Sequence, residues 1–440
     1  MKKEWLLTIS ITTVTILISL VLIRLLAPHL LGGSQDLQLV RVSKEVPPFF
    51  DNVFRKDDYQ SQNFILQDPH IKRAKPLLQE QENFGPHDIL GFRNRTIHNI
   101  VDIVVIGDSQ TYGNNVQYEN NWPNLMNKSF TRNKPVTYSM AVGGWGAAEY
   151  LAVFYKAVLF HPSVIVVAFY TGNDSLETYQ QAYGNNRYAF LKMDQSLKAG
   201  DIPKADFPPP ESEWWPVKFR DSVQTIFTPK LRLASNQQHP AVKAGYSAMA
   251  EAGRLMGEAA RKNNIKLVFT IIPTKEMVYA RKVSSEFIKQ PPDYTKLITD
   301  ERENIRILEQ HLRAIPNAFF IDVLNPLQEE ANKGVQLYPF NENGHPITAG
   351  YAIIAHTLGP IVYSLFPEPL DGLVAVHQGG NQYRLFFVRD GRVWRISNHE
   401  IASKNGWNIK KIRTVDLYRI QRMPIVGTMD RLDRTLFGPR

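Results

Sequence analysis

The chain has 440 residues, a formal net charge of +9 at pH 7 and no cysteine. The lack of cysteine excludes disulfides, thiolate metal sites and a cysteine nucleophile. A composition of 43% hydrophobic and 21% charged residues excludes a disordered chain, and the length suits roughly two or three folding units.

Residues 5–23 carry no charge and are mostly Leu, Ile and Val, with six Ser or Thr among them. As a helix they reach about 28 Å, close to the thickness of a bilayer's hydrocarbon core. No Ala-x-Ala-like site follows, and the run is longer than the apolar region of a cleaved signal. Residues 1–30 are therefore expected to be a transmembrane anchor or signal, with residues 5–27 in contact with the membrane. Lys2 and Lys3 favour a cytoplasmic N-terminus, with Arg24 opposing on the other flank. The expected location is the inner membrane, single-pass, with the bulk of the chain extracytoplasmic. Residues 31–83 read as a tether and lead-in.

From residue 84 the chain alternates strand and helix. Strand-like runs fall at 101–106, 136–140, 163–170, 265–272 and 317–322, and helical patterns at about 119–131, 146–160, 243–263, 298–314 and 347–364. Continuous apolar strands between amphipathic helices predict a parallel sheet covered on both faces. In such sheets ligands bind beyond the carboxyl ends of the strands. The first strand, Ile103-Val-Val-Ile-Gly-Asp-Ser-Gln-Thr-Tyr-Gly113, runs directly into a tight turn with Ser109 at its tip. Gly143-Gly144-Trp145-Gly146 follows the second strand and Thr171-Gly172-Asn173-Asp174 the third. Asn341-Glu342-Asn343-Gly344-His345-Pro346 opens the last helix.

The third connection, about 176–240, is too long for an ordinary loop and holds Tyr179, Tyr183, Tyr188, Phe190, Trp214 and Trp215. It is expected to be a cap on the cleft; its aromatics could instead form a small core of their own. After Pro369 the pattern changes to short β-like runs, with Arg389-Asp390-Gly391 as a hairpin turn. Residues 370–440 are read as a β-rich module, and a surplus of seven positive charges falls on residues 371–440. That surplus suits an anionic glycan or lipid headgroup. No nucleic-acid reader motif accompanies it.

The order of Gly107-Asp108-Ser109, an isolated Gly, Gly172-Asn173-Asp174 and a late His before a helix resembles the SGNH/GDSL hydrolase superfamily. Phe84-Gly-Pro-His-Asp-Ile-Leu-Gly-Phe-Arg93 is similar to the lead-in of its secreted or membrane-anchored bacterial members. The resemblance covers about residues 84–366. It implies an α/β fold, a flavodoxin-like three-layer sandwich around a parallel sheet. It also implies that Ser109 is the nucleophile, His345 the base, and the oxyanion hole the amides of Ser109 and Gly144 with the carboxamide of Asn173. Gly144 is preferred to Gly143 by its spacing from the strand, and a glycine lets the backbone N–H come close to a substrate. Asp108 is expected to brace the turn beside Gly107 by accepting backbone N–H bonds.

The family commonly places Asp three residues before the His; here that residue is Glu342, and the one two before is Asn343. Glu342 could serve as the acid, a backbone carbonyl could serve in a dyad, or the site could be impaired. Trp145, Trp214 and Trp215 are candidate cleft residues. No metal or cofactor motif is present. The reading is an extracytoplasmic serine esterase acting on an O-acylated, in first place acetylated, glycan or a related small ester. An O-acyltransferase with the same acyl-serine and a catalytically impaired surface-binding protein are the alternatives.

Overall fold

The computed structural model describes residues 65–66, 72–98, 101–130, 135–203, 213–366 and most of 372–429. The expected membrane segment and most of the tether lie outside the described residues. Among those described, no helix is long and apolar enough to cross a membrane. The chain divides into two compact units, the first running to Val362 without Phe130–Lys134, the second taking those five residues and Tyr363 onward.

The first unit opens with a two-stranded pair, Ile65–Leu66 with Arg73–Ala74. Its main strands and helices then alternate: β1 Ile103–Gly107, α1 Ser109–Tyr112, α2 Trp122–Ser129, β2 Thr137–Ala141, α3 Ala147–Leu159, β3 Val164–Tyr170 and α4 Asp174–Gly184. After the long connection come α5 Pro240–Lys262, β4 Lys266–Ile272, α6 Lys275–Ser285, α7 Pro292–Arg313, β5 Ala318–Ile321, α8 Leu324–Asn332 and α9 Thr348–Ser364. The sheet order is β2-β1-β3-β4-β5 with every pairing parallel. This is the flavodoxin-like doubly wound order, whose switch point lies between β1 and β3.

Burial explains why the strands could be read from sequence. Every residue of β1 and β3 is buried, so both faces require apolar side chains and the runs are continuous rather than alternating. Ile106, Val167, Phe169 and Phe269 join Tyr150, Phe154, Met249 and Met256 of the helices in one core. The long connection contains α4, a 3-10 segment Asn186–Leu191 and an antiparallel hairpin, Trp215–Lys218 with Gln224–Phe227. Its aromatics pack on each other and on the helices. Tyr179 stacks on Tyr183 at 4.2 Å, Phe219 on Tyr279 at 5.5 Å, and Trp215 meets Tyr294 edge-on at 4.6 Å.

The second unit is a five-stranded mixed sheet: β6 Gly372–Gly379, β7 Gln382–Arg389, β8 Arg392–Ile396, β9 Arg413–Val415 and β10 Ile425–Met429. The order is β9-β6-β7-β8-β10. Arg389 pairs with Arg392 across the expected turn, while Asp390 and Gly391 lie outside the described residues.

Candidate active site

The turn that follows β1 is built by the residues on either side of Ser109. A Cβ on Gly107 would overlap the Thr111 side chain and lie 3.1 Å from the Ala168 carbonyl oxygen, so only glycine lets β1 pass into α1 beside β3. Asp108 caps α1, its Oδ1 accepting the Gln110 amide at 2.9 Å. Its Oδ2 lies 3.2 Å from Ser109 Oγ. Burial pushes the Asp108 carboxyl up to about 7, against the bonds from Gln110 and Ser109 that favour its ionised form.

The lead-in supports this turn from behind. Arg93 is buried, with Nε donating to the Gly85 carbonyl at 2.7 Å, Nη1 to those of Tyr112 and Gly113, and Nη2 to that of Val116. His87 bridges the Lys75 carbonyl and the Tyr112 hydroxyl, each at 2.7 Å. One side chain thus satisfies the carbonyls at and after the end of α1, which the helix leaves without partners.

His345 arrives from the turn before α9. His345 Nε2 lies 2.8 Å from Ser109 Oγ. On the other edge of the ring, Nδ1 lies 2.9 Å from Asn343 Oδ1, and the His345 backbone amide donates to the same atom at 3.0 Å. An amide N–H can only donate, so the shared atom is the carboxamide oxygen and Nδ1 must carry the proton. The lone pair of Nε2 therefore faces the serine hydroxyl, the tautomer a general base requires. Gln110 Nε2 to the Gly344 carbonyl, 3.3 Å, and Asn115 Nδ2 to the His345 carbonyl, 3.5 Å, tie this turn to the nucleophile segment.

The expectation for Glu342 is corrected. The imidazole is oriented by Asn343, and no hydrogen bond joins Glu342 to His345. The reason is local: Asn343 makes an Asx turn, folding its side chain over the residue two ahead, and occupies the position an acid would take. The ring consequently faces a neutral amide. Burial pushes His345 down to about 4, and the Arg232 and Lys275 cations lower it further. The imidazole is neutral at physiological pH.

Of the remaining expected groups, the glycine pair comes beside the serine through Gly143. Gly143 lies close enough that a Cβ there would sit 3.6 Å from Ser109 Cβ. Gly144 adopts φ +72°, the left-handed region that favours glycine, and its carbonyl accepts from Lys72 Nζ at 3.0 Å. Asn173 takes the N-cap position of α4 but makes no capping bond, and its Oδ1 is shielded from solvent without a partner. Its carboxamide is therefore not committed to the helix. Asp174 is committed, accepting the Tyr170 amide at 2.8 Å and the Tyr150 hydroxyl at 2.9 Å.

Of the three tryptophans, Trp145 stands elsewhere than expected. Trp145 is 1% exposed, packs edge-on against Phe92 and donates to the Lys72 carbonyl; it is core, not cleft. Trp215 packs on Tyr294 and Phe227, and Trp214 beside it is half-buried, with its indole nitrogen shielded from solvent and unpartnered. No hydrogen bond or ring contact joins either to the site. For Trp145, pairing a large apolar ring with the neighbouring Phe92 outweighed leaving it on an open cleft. Among the described residues no cluster of His, Asp or Glu could hold a metal ion.

Asn343, Arg232 and Lys275 are the residues that sequence reasoning missed. For Asn343 the available signal was Asn-Gly, a turn dipeptide just before the base.

No family model matches the sequence, and no curated protein matches it. Solved structures similar to it include a GDSL-like lipase from Bacteroides thetaiotaomicron, 13% identical over 60% of this chain and 89% of that one, TM-score 0.32. A catalytic mutant of an acetylxylan esterase from Geobacillus stearothermophilus is 10% identical over 62% and 98%, TM-score 0.33. A psychrotrophic esterase from Pseudoalteromonas sp. is 11% identical over 60% and 97%, TM-score 0.29. At such scores these likenesses bear no weight of their own; the fold rests on the strand order and the site on its distances. By motif order, doubly wound topology and a serine hydrogen-bonded to a neutral histidine, the chain resembles the SGNH/GDSL serine hydrolases.

Proposed function

We propose that the chain is a serine esterase that opens O-acyl esters through an acyl-Ser109 intermediate, and that its substrate is an acylated, in first place acetylated, glycan outside the cytoplasmic membrane. The observation that carries the chemistry is the 2.8 Å contact between Ser109 Oγ and His345 Nε2, in the tautomer fixed by Asn343. As Oγ bonds to the acyl carbon, its proton moves to Nε2 and the carbonyl oxygen becomes an oxyanion. The Ser109 and Gly144 amides and the Asn173 carboxamide are the proposed donors to it. Nε2–H then protonates the departing alcohol, and a water deprotonated by the same nitrogen releases the acid and regenerates Ser109. The location and the glycan are supported by the uncharged run at 5–23 and the basic surplus in residues 371–440.

The test is a fluorophosphonate probe on the full chain in detergent. Labelling at Ser109 that is lost in Ser109→Ala supports an activated nucleophile; no labelling of folded protein sinks the reading and leaves the surface-binding alternative. With an acetyl donor and a glycan oligomer, free acetate in excess of acetylated glycan supports the esterase. The reverse ratio assigns the acyl-serine to transfer.

A further inference from the structure

The turn that carries the base is gripped by a buried cation that the reaction above does not use. Lys275 opens α6 behind Thr274, whose hydroxyl caps the helix, and its side chain is wholly buried. Its Nζ donates to the carbonyl of Asn341 at 2.8 Å and to that of Asn343 at 3.2 Å. Among the described residues no carboxylate forms an ion pair with it. Its neighbour Glu276 is taken by Arg232 Nε at 2.9 Å and by the Thr228 amide at 3.0 Å. An ammonium buried against neutral carbonyls is expensive, and here both carbonyls belong to the five residues that end at His345.

Resting on the reading of Ser109 and His345 as nucleophile and base, we propose that Lys275 is a positioning residue for the base: it fixes the His345 turn through two carbonyls and sets the basicity of the imidazole through its charge. The charged groups facing it are Glu276 on its own helix, Arg232 from the long connection and Glu342 from the base's turn. Burial pushes the Lys275 ammonium down to about 7, so its charge fades just above neutrality. A neutral amine keeps two N–H groups, so both carbonyl bonds survive the loss of charge. The turn therefore holds its geometry while a cation that disfavours imidazolium disappears. As pH rises through 7 the imidazole becomes a better base, although its own titration, at about 4, is already complete. A rise in nucleophile reactivity around neutrality then belongs to Lys275 and not to His345.

The experiment compares the full chain in detergent with Lys275→Gln and Lys275→Arg by two readouts. These are the titration midpoint of the His345 ring by NMR and the rate of fluorophosphonate labelling at Ser109 from pH 5.5 to 9. The native chain should show a rise in labelling of several-fold to about tenfold across neutrality, the factor of one pKa unit of basicity. Lys275→Gln should raise the His345 midpoint and remove the rise, holding the rate near the native high-pH value. Lys275→Arg, which stays charged, should keep the native midpoint and hold the rate low throughout. An unchanged midpoint in Lys275→Gln, or a native-like rise in it, overturns the proposal and leaves Lys275 a structural pin. Should Lys275→Gln not fold, Lys275→Arg decides, since a native-like rise there is equally fatal. Absence of labelling in the folded native chain condemns the esterase reading alone; the NMR midpoints still decide Lys275.

Discussion

Asn343 occupies the place of a triad's acid without its charge. Its oxygen fixes the imidazole tautomer, yet it cannot offset the positive charge that His345 would gain on taking the Ser109 proton in the proposed reaction. A carboxylate in the same position would favour imidazolium. Asn343→Asp should therefore raise the His345 titration midpoint and speed Ser109 labelling at pH 7 by about tenfold per pKa unit gained; a slower variant would mean that Asn343 is already the better partner. Glu342→Gln should change labelling by less than about twofold, well short of the loss expected when a catalytic group is removed, and a loss of tenfold or more would restore Glu342 to the site. The sequence made Ser109 and His345 legible because a strand-end turn and a helix-entry loop each present one side chain. It did not make the residue that orients the ring legible, because counting back along a turn does not tell which side chain folds over the ring. That is decided by the Asx turn of Asn343, a contact with a backbone amide that leaves no periodic trace.

At the scale of elements, the parallel strands were readable because burial, complete in β1 and β3, fills them mostly with Val, Ile, Ala, Phe and other apolar residues. Helix α6 was not, because it buries Lys275, Glu276 and Lys282 along with Met277, Val278 and Val283, and charged residues facing inward break the apolar period that identifies a helix. Buried charge also marks α3. Glu149 lies in the first turn with its Oε2 accepting the Gly146 amide at 3.1 Å, and burial pushes its carboxyl up to about 8 from 4.5. A raised carboxyl binds its proton more tightly folded than unfolded. Its contribution is thus intact at pH 4.5 and is lost as pH climbs to about 8, at no more than about 1.4 kcal/mol per pH unit. Glu149→Gln keeps an acceptor for Gly146 and removes the titration. Its urea midpoint should match the native protein at pH 5 and exceed it at pH 8.5; an equal difference at both would show that Glu149 does not titrate in this window. Arg93 tests the lead-in. Arg93→Leu removes four hydrogen bonds and leaves the Gly85, Gly113 and Val116 carbonyls without the Arg93 donor, while Asn121 still donates to that of Tyr112; it should destabilise by about 3 kcal/mol or more in urea unfolding, whereas a loss under 1 kcal/mol would mean the turn stands without it.

Over the whole molecule, charge and chemistry fall on different units. The residues of the proposed reaction all belong to the doubly wound unit, while the seven-charge surplus belongs to the C-terminal stretch. The mixed sheet there has an apolar cluster on each face. Val374, Val376, Phe386, Val388 and Val393 form one, and Ala375, Leu385, Phe387, Ile396 and Met429 the other. With both faces committed to packing, the basic side chains are what this unit has to offer an anionic partner. Attraction of that kind acts over about a Debye length, roughly 10 Å at 0.1 M salt and 3 Å at 1 M, so retention of the full chain on an acidic polysaccharide should fall steeply between those concentrations. Replacing Lys404, Lys410 and Lys411 with Glu removes six units of positive charge and should bring elution below 0.1 M salt, while leaving the rate of Ser109 labelling unchanged. Retention unaffected by both salt and charge reversal would locate binding in hydrogen bonds or stacking and not in the basic surplus. A parallel fall in labelling would mean that the second unit contributes to the reaction as well as to attachment.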